Sequence, residues 1–463
     1  MYHSLKSLIW LYVALLVFEG ALRKWVLPDH ADVLLVVRDP VVILIYLLAL
    51  GQGRFPVNGW VVTISLLSVA ALFASFLAGQ TNLLITGYGL RTNFLHLPLI
   101  WVMASVLTRR DAENIGFALL LMAIPMTLLM AAQFRAPMND ILNRGVGGEE
   151  GGQIYGALGH IRPPGFFAFI TGPQLFFPLA AAFFCHQLGK ARRLWLPLVL
   201  ACGVAILLAL PLSISRTVAL ATLLVGTVYL GTLVQSGFLR AGLLRIAVLV
   251  AVVGLAASFL PIFDEAHAAF FSRWEEAKGP NDEGSGMASI FARFFGGSDY
   301  VLDVASSAPL FGAGIGMGSN MAARLTTGRV GFLLAESEWG RCVLELGPPL
   351  ALGFLGFRIV LAFALLLHAL RRQLHARDPL PLLILSSCAP ALIVGQWSPP
   401  TILGFSVLGA GLCLTACQDA PPPAAEDDVE SLENEDETDD DDPDETADAE
   451  TGEPGSDTEP EHR

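Results

Sequence analysis

The chain reads as an all-α membrane protein: a polytopic bundle of about twelve transmembrane helices, with one long polar loop and an acidic tail. Three observations predict this. The 463 residues are 54% hydrophobic and only 15% charged, whereas a soluble chain carries about 25% charged residues. Apolar runs of about 20 residues, the length that crosses a bilayer, recur along the chain. These runs are continuously apolar rather than alternating, which excludes a barrel and leaves helices to satisfy the backbone inside lipid.

Taken in order, the spans fall near 5–22, 33–51, 59–78, 92–107, 114–134, 165–187, 194–212, 215–235, 242–262, 346–369, 379–396 and 399–417. The first run lacks a small-residue cleavage site and reads as a membrane helix rather than a signal peptide. The 88–96 stretch that leads into the fourth span has partial helical character. Residues 1–262 therefore form nine spans, 263–345 a long loop, 346–418 three more spans, and 419–463 a tail. No repeat relates the two halves.

The formal charge of −14 belongs to that tail, which holds 21 Asp and Glu against one Arg; the body then has 27 basic and 21 acidic residues. With no apolar periodicity, the tail is expected to be disordered. Lys and Arg in short loops set the orientation. With the N-terminus inside, inner loops hold twelve basic residues and outer ones eight. Both termini are then cytoplasmic, and the long loop between spans nine and ten is outside, in the periplasm. The six cysteines lie in or beside apolar runs with no metal spacing, so neither a metal nor a cofactor is expected.

Several outer charges sit at the ends of apolar helices rather than in loop centres. They are Glu19 and Arg23, then Arg38-Asp39, Arg91, Arg162 and Arg216. Ionisable groups near hydrocarbon face an interior or a water-filled cavity, and arginines at one depth point to an anion site. Arg216, in Ser213-Ile214-Ser215-Arg216, would bind phosphate bidentately at the positive end of a helix starting at Ser213 or Ser215. A snorkelling arginine is the plainer reading. Arg162 follows Gly159-His160-Ile161 and precedes Pro163-Pro164-Gly165, a rigid setting. Glu19 and Arg23, four apart, can pair, and Arg38-Asp39 reads as a self-neutralising helix start.

Within the long loop, Gly312, Gly314, Gly316 and Gly318 lack the βαβ context of a nucleotide site and read as tight turns or amides near an anion. Glu336, Glu338, Arg341 and Glu345 follow, with 338, 341 and 345 on one helical face. A carboxylate there can have a raised pKa and act as a general base; an ordinary charged helix start is the alternative. His160 and His267 are isolated.

Three segments resemble the O-antigen ligase and O-antigen polymerase family of bacterial membrane proteins. Ser213-Ile214-Ser215-Arg216 with Leu220 looks like its serine-arginine motif. Residues 309–316, Pro-Leu-Phe-Gly-Ala-Gly-Ile-Gly, look like its Pro-Leu-Phe-Gly-X-Gly stretch. Glu336-Ser337 with Glu345-Leu346-Gly347 looks like its last motif, with Glu336 where the family commonly has His.

The resemblance implies a bundle of the GT-C-like kind and a metal-independent, inverting glycosyltransferase. Its partners would be an undecaprenyl-diphosphate-linked glycan, an acceptor glycan or lipid-linked sugar, the bilayer, and polysaccharide assembly proteins, with no nucleic acid. Arg216, with Arg162 or Arg91, would hold the diphosphate; Glu336 or Glu338 would take the acceptor's proton; Arg341, Glu345, Glu19 and Arg23 would support them. A secondary transporter or flippase, and a non-catalytic member of an assembly complex, are the competing readings.

Overall fold

A computed structural model describes residues 2–190, 195–237, 254, 262–275, 297–328, 331 and 333–418. Most of the expected ninth span, part of the long loop and the whole acidic tail lie outside the described residues. What is described is almost entirely helical. Six segments are long and apolar enough to cross a membrane: Ser4–Val26, Pro28–Gly51, Gly59–Leu77, Arg109–Arg135, Arg216–Ser236 and Pro348–Ala376. Leu196–Leu212, Leu380–Val394 and Pro400–Ala416 are shorter apolar helices.

In chain order the helices are α1 (Tyr2–Ala21), α2 (Arg38–Gly51), α3 (Gly59–Leu77), α4 (Leu83–Leu90), α5 (Leu99–Val106), α6 (Arg109–Arg135), α7 (Thr171–Lys190), α8 (Leu196–Leu212) and α9 (Arg216–Ser236). Then come α10 (Ile262–Glu275), α11 (Gly297–Ser307), α12 (Asn320–Thr327), α13 (Glu338–Leu346), α14 (Pro348–Ala376), α15 (Leu380–Val394) and α16 (Pro400–Ala416). α7 is buried on nearly every side, as an all-round apolar helix must be. It packs against α6, α8, α9, α15 and α16.

Two expected spans start differently. The fourth is interrupted: α4 passes into a π turn at Arg91–Leu95, and α5 begins only at Leu99, after Pro98. Proline supplies no N–H and disfavours helix in the residue before it, so the run breaks there. The sixth begins at Thr171 rather than near 165, because Pro163, Pro164 and the positive φ of Gly165 (60°) hold 163–170 out of a helix.

Contacts sort the charged loop residues onto two ends of the bundle. At one end Lys6 binds Asp111 at 2.5 Å, Arg109 binds Asp378, and Lys190 and Arg109 bind Glu113 at 3.1 and 3.2 Å. At the other, Trp25 Nε1 donates to the Ile141 carbonyl at 2.8 Å and Arg324 pairs with Asp32. The candidate site lies at the second end.

Candidate functional site

α13 is short and well bounded. Ser337 Oγ accepts the Gly340 N–H at 3.2 Å as its N-cap, and Gly347 at φ 77° with Pro348 behind it ends the helix. Residues 338, 341 and 345 face one way, as expected, and all are buried. Arg341 donates to both neighbours, at 2.8 Å to Glu338 Oε2 and 2.6 Å to Glu345 Oε2, and at 3.0 Å to Asn93 Oδ1. Arg358, in the apolar middle of α14, donates Nη1 to Glu338 Oε1 at 2.6 Å and its other nitrogens to the carbonyls of Ala391, Leu392 and Gly395. Its guanidinium lies 3.8 Å from the Trp397 ring centroid.

This arrangement corrects the reading of Glu338 as a proton acceptor with a raised pKa. Burial pushes its carboxyl up, but the guanidiniums of Arg341 and Arg358 outweigh burial and hold it below the usual glutamate value. Both oxygens are occupied and the side chain has no solvent exposure, so Glu338 is a structural counter-ion.

The glycine ladder docks beside this cluster. Ala313 N and Gly314 N donate to the carbonyls of Leu344 and Glu345 at 2.7 and 3.1 Å, and Gly318 N donates to Glu345 Oε1 at 2.7 Å. The anion near these amides is therefore the chain's own carboxylate. Gly316, at φ 88°, lies against α4: a Cβ on it would come within 2.2 Å of the Ile85 carbonyl oxygen, and one on Gly89 within 2.4 Å of Gly316 N. Only residues without a side chain permit that approach.

Glu336 differs from its neighbours. It is exposed, while Gln396 donates to its backbone carbonyl. A cleft of about 50 Å³ opens beside it, lined by Gly318, Asn320, Ala335, Arg341, Gln396 and Ser398. That volume admits little more than a water molecule, so any sugar at Glu336 would lie over the cleft rather than in it.

Arg216 is the first residue of α9, with Ser215 at the cap position and α8 ending at Leu212. The turn between is tight: Ser215 N donates to Ser213 Oγ at 3.2 Å, Gln174 Nε2 to Ser215 Oγ at 3.2 Å, and buried Ile214 has φ 45°. A β-branched residue in that region is held there by its surroundings at a cost of about 1–3 kcal/mol.

Ile214 meets the hairpin that leads to Arg162. Its Cδ1 would lie 2.8 Å from a Cβ built on Gly156, so the two turns are in close contact. The hairpin pairs Tyr155–Ala157 with His160–Ile161 across Leu158 and Gly159, both at positive φ, as a type I′ turn requires. His160 is absorbed structurally, stacked on Phe134 with ring centroids 3.9 Å apart.

Behind Arg162 the peptide of Gly165 is gripped from two helices. Gln133 of α6 accepts its N–H at 2.8 Å and donates to its carbonyl at 3.3 Å, and Lys24, in the π turn Leu22–Val26 that follows α1, donates to the same carbonyl at 2.9 Å. Arg162 and Arg216 thus stand on adjoining, internally braced turns.

Arg91 belongs elsewhere. Its Nε pairs with Asp39 and its Nη2 donates to the Leu35 carbonyl at 3.1 Å, so α2 and the π turn position it rather than α9. Asp39 Oδ1 also accepts from His96 Nε2 at 2.9 Å. Arg38 does not neutralise Asp39; its Nε reaches Glu19 at 3.1 Å, while Arg23 binds the other Glu19 oxygen at 3.3 Å. The expected Glu19–Arg23 pair is thus one part of a larger cluster.

Sequence reasoning missed Arg358, Asn93, Gln133 and the buried Lys24. Arg358 had a signal, a lone charge inside an apolar run. Asn93 and Gln133 had none, since a single amide beside a helix end is common. Comparison of the chain with protein-family models, curated proteins and solved structures finds no match.

Proposed function

We propose that the chain is a membrane glycan transferase, a polymerase or a ligase, that moves a glycan from an undecaprenyl-diphosphate donor to an acceptor sugar hydroxyl. In this reading twelve spans cross the bacterial cytoplasmic membrane, both termini are cytoplasmic, and the long loop and the site face outward. The acceptor oxygen attacks the donor's anomeric carbon as the bond to the diphosphate breaks, inverting that carbon. The leaving diphosphate keeps the bonding electrons, and Arg216 and Arg162 stabilise its charge. Glu336 takes the acceptor's proton. Polysaccharide assembly proteins are the natural partners for such a chain.

The observation that carries the reading is the contrast between carboxylates on one segment. Glu338 and Glu345 are committed to arginines, while the Glu336 side chain is exposed. The adjoining Arg162 and Arg216 turns at the same end supply the complementary charge. The test replaces Arg216 by Ala and Glu336 by Gln and follows glycans in cells. Stable protein with short, lipid-linked glycan left untransferred is expected; normal glycan product from both variants rejects the reading.

One observation favours a second reading, a transporter. The α4, π-turn and α5 segment is an interrupted helix, a feature of transporter binding sites when it recurs in matching positions of two halves. Uptake of a labelled lipid-linked glycan by reconstituted protein, without transfer, would select it.

A further inference from the structure

α10 carries three kinds of side chain on three sides. At about 100° per residue, Ile262, Phe263, Ala266 and Ala269 share one side, and all four are buried. His267, Phe270, Phe271 and Trp274 fall together on one flank. Their rings meet: Phe270 lies 5.7 Å from Phe271 and 6.1 Å from Trp274, and His267 lies 6.0 Å from Phe271, centroid to centroid. Asp264, Glu265 and Glu275 lie toward the other flank and are exposed.

The buried side of α10 covers the two arginine turns. It forms an apolar cluster of its own with Phe134, Ala157, Leu212 and Ile214. Ala157 belongs to the hairpin that leads to Arg162, and Ile214 is the residue of positive φ in the turn before Arg216. α10 therefore rests on both turns at once, and packs on α8 beside them.

The length of α8 sets the depth of α10. Trp195, at the amino-terminal cap of α8, is 51% exposed, and tryptophan is enriched at the boundary between lipid and water. α8 has 17 residues, so it rises about 25 Å, while the hydrocarbon core of a bilayer is about 30 Å thick. Leu208 and Leu212, which meet α10, thus stand near the opposite boundary. The aromatic flank is at that level, and Phe271 on it is 57% exposed. A single exposed apolar side chain needs no account. Clustered rings on one flank, with carboxylates on the other, are the pattern of a helix lying in a membrane surface. Stacking on a sugar would account for the rings but not for their depth.

We propose that α10 lies along the membrane surface, with Phe270, Phe271 and Trp274 among the lipid headgroups and upper acyl chains and Asp264, Glu265 and Glu275 in water. The partner is the bilayer itself, and the helix ties the Arg162 and Arg216 turns to it. The aromatic flank carries no Lys or Arg, so the attraction is apolar and needs no anionic lipid. The depth of α10 is independent of any glycan transfer.

The test uses the full chain in phosphatidylcholine vesicles, with Cys417→Ser because the other five cysteines are buried. A nitroxide is attached at Phe271→Cys or, on the opposite flank, at Glu265→Cys. Collision rates are measured with oxygen, which concentrates in lipid, and with a nickel chelate, which stays in water. The ratio of oxygen to chelate collisions should be several-fold higher at 271 than at 265. Hydrogen exchange then reads the tie to the turns. Phe271→Ser with Trp274→Ser should raise exchange at 155–162 and 213–216 several-fold and leave 338–346 unchanged. Equal, water-like collision ratios at the two labels overturn the proposal, and a fall in chelate collisions at 271 on addition of dextran oligosaccharides would then identify a sugar platform instead. Exchange at both turns unaltered by the double substitution overturns the tie.

Discussion

Arg358 and Glu338 are joined by a 2.6 Å ion pair in which neither side chain has any solvent exposure. The pair ties the middle of α14 to the start of α13, and Arg358 also holds the carbonyls that end α15. Removing Glu338 leaves Arg358 buried without a carboxylate, at about 3–5 kcal/mol, and removing Arg358 leaves Glu338 to Arg341 alone. Arg358→Met and Glu338→Gln should each lower the melting temperature in detergent sharply. The double variant, which keeps the cluster neutral, should recover a substantial part of the loss.

Acid should loosen the same junction. The lowered pKa of Glu338 means that the folded protein binds fewer protons than the unfolded chain near pH 4.5, the ordinary glutamate value. Its stabilisation is therefore full above pH 4.5 and is lost as pH falls below it. Thermal unfolding between pH 3 and pH 7, compared with Glu338→Gln, should show a steeper acid loss in the unaltered protein.

Docking of the glycine ladder depends on backbone proximity, so it should fail on addition of a single methyl. Gly316→Ala meets both a positive φ of 88° and the Ile85 carbonyl, at about 1–3 kcal/mol for the backbone strain alone. Gly89→Ala meets the same contact from the other side. Both should expose residues 309–318 to limited proteolysis while the remaining helices stay protected.

If Arg216 holds a diphosphate through its planar fork, charge alone should not replace it. Arg216→Lys should then lose about 10²–10³-fold in transfer rate, close to Arg216→Ala, as measured with a lipid-linked donor and acceptor. Retention of the rate by Lys would mean that the position supplies only charge.

Gln133 grips both polar groups of the Gly165 peptide. Gln133→Leu should orphan that buried N–H at about 1–3 kcal/mol. Because Arg162 stands three residues away, transfer should fall by a factor comparable to that of Arg162→Ala, and hydrogen exchange at 163–168 should rise. Loss of stability with transfer unchanged would separate the brace from the site.

Much of the helical layout was legible, because continuous apolar runs have one solution in lipid. The helix starts were less so. The interruption at Pro98 and the delayed start at Thr171 are proline effects that hydropathy does not register. The candidate site divides in the same way. Ser337 as a cap and Gly347 as a stop are seen only in the structure, while the shared face of 338, 341 and 345 follows from local rules. The depression of the Glu338 pKa does not, since it depends on Arg358, twenty residues on along the chain.

By itself the sequence determined that this chain is a helical membrane protein and which charges sit at helix ends, because hydrophobic length and spacing are local properties. Only the tertiary structure decided which of those charges neutralise one another. Glu19 serves two arginines, Arg91 leaves the Arg216 turn for Asp39, and Glu338 is closed off while Glu336 stays open. Those outcomes depend on partners distant in the chain, brought within 3 Å or so by packing, and ion pairing is decided at that range.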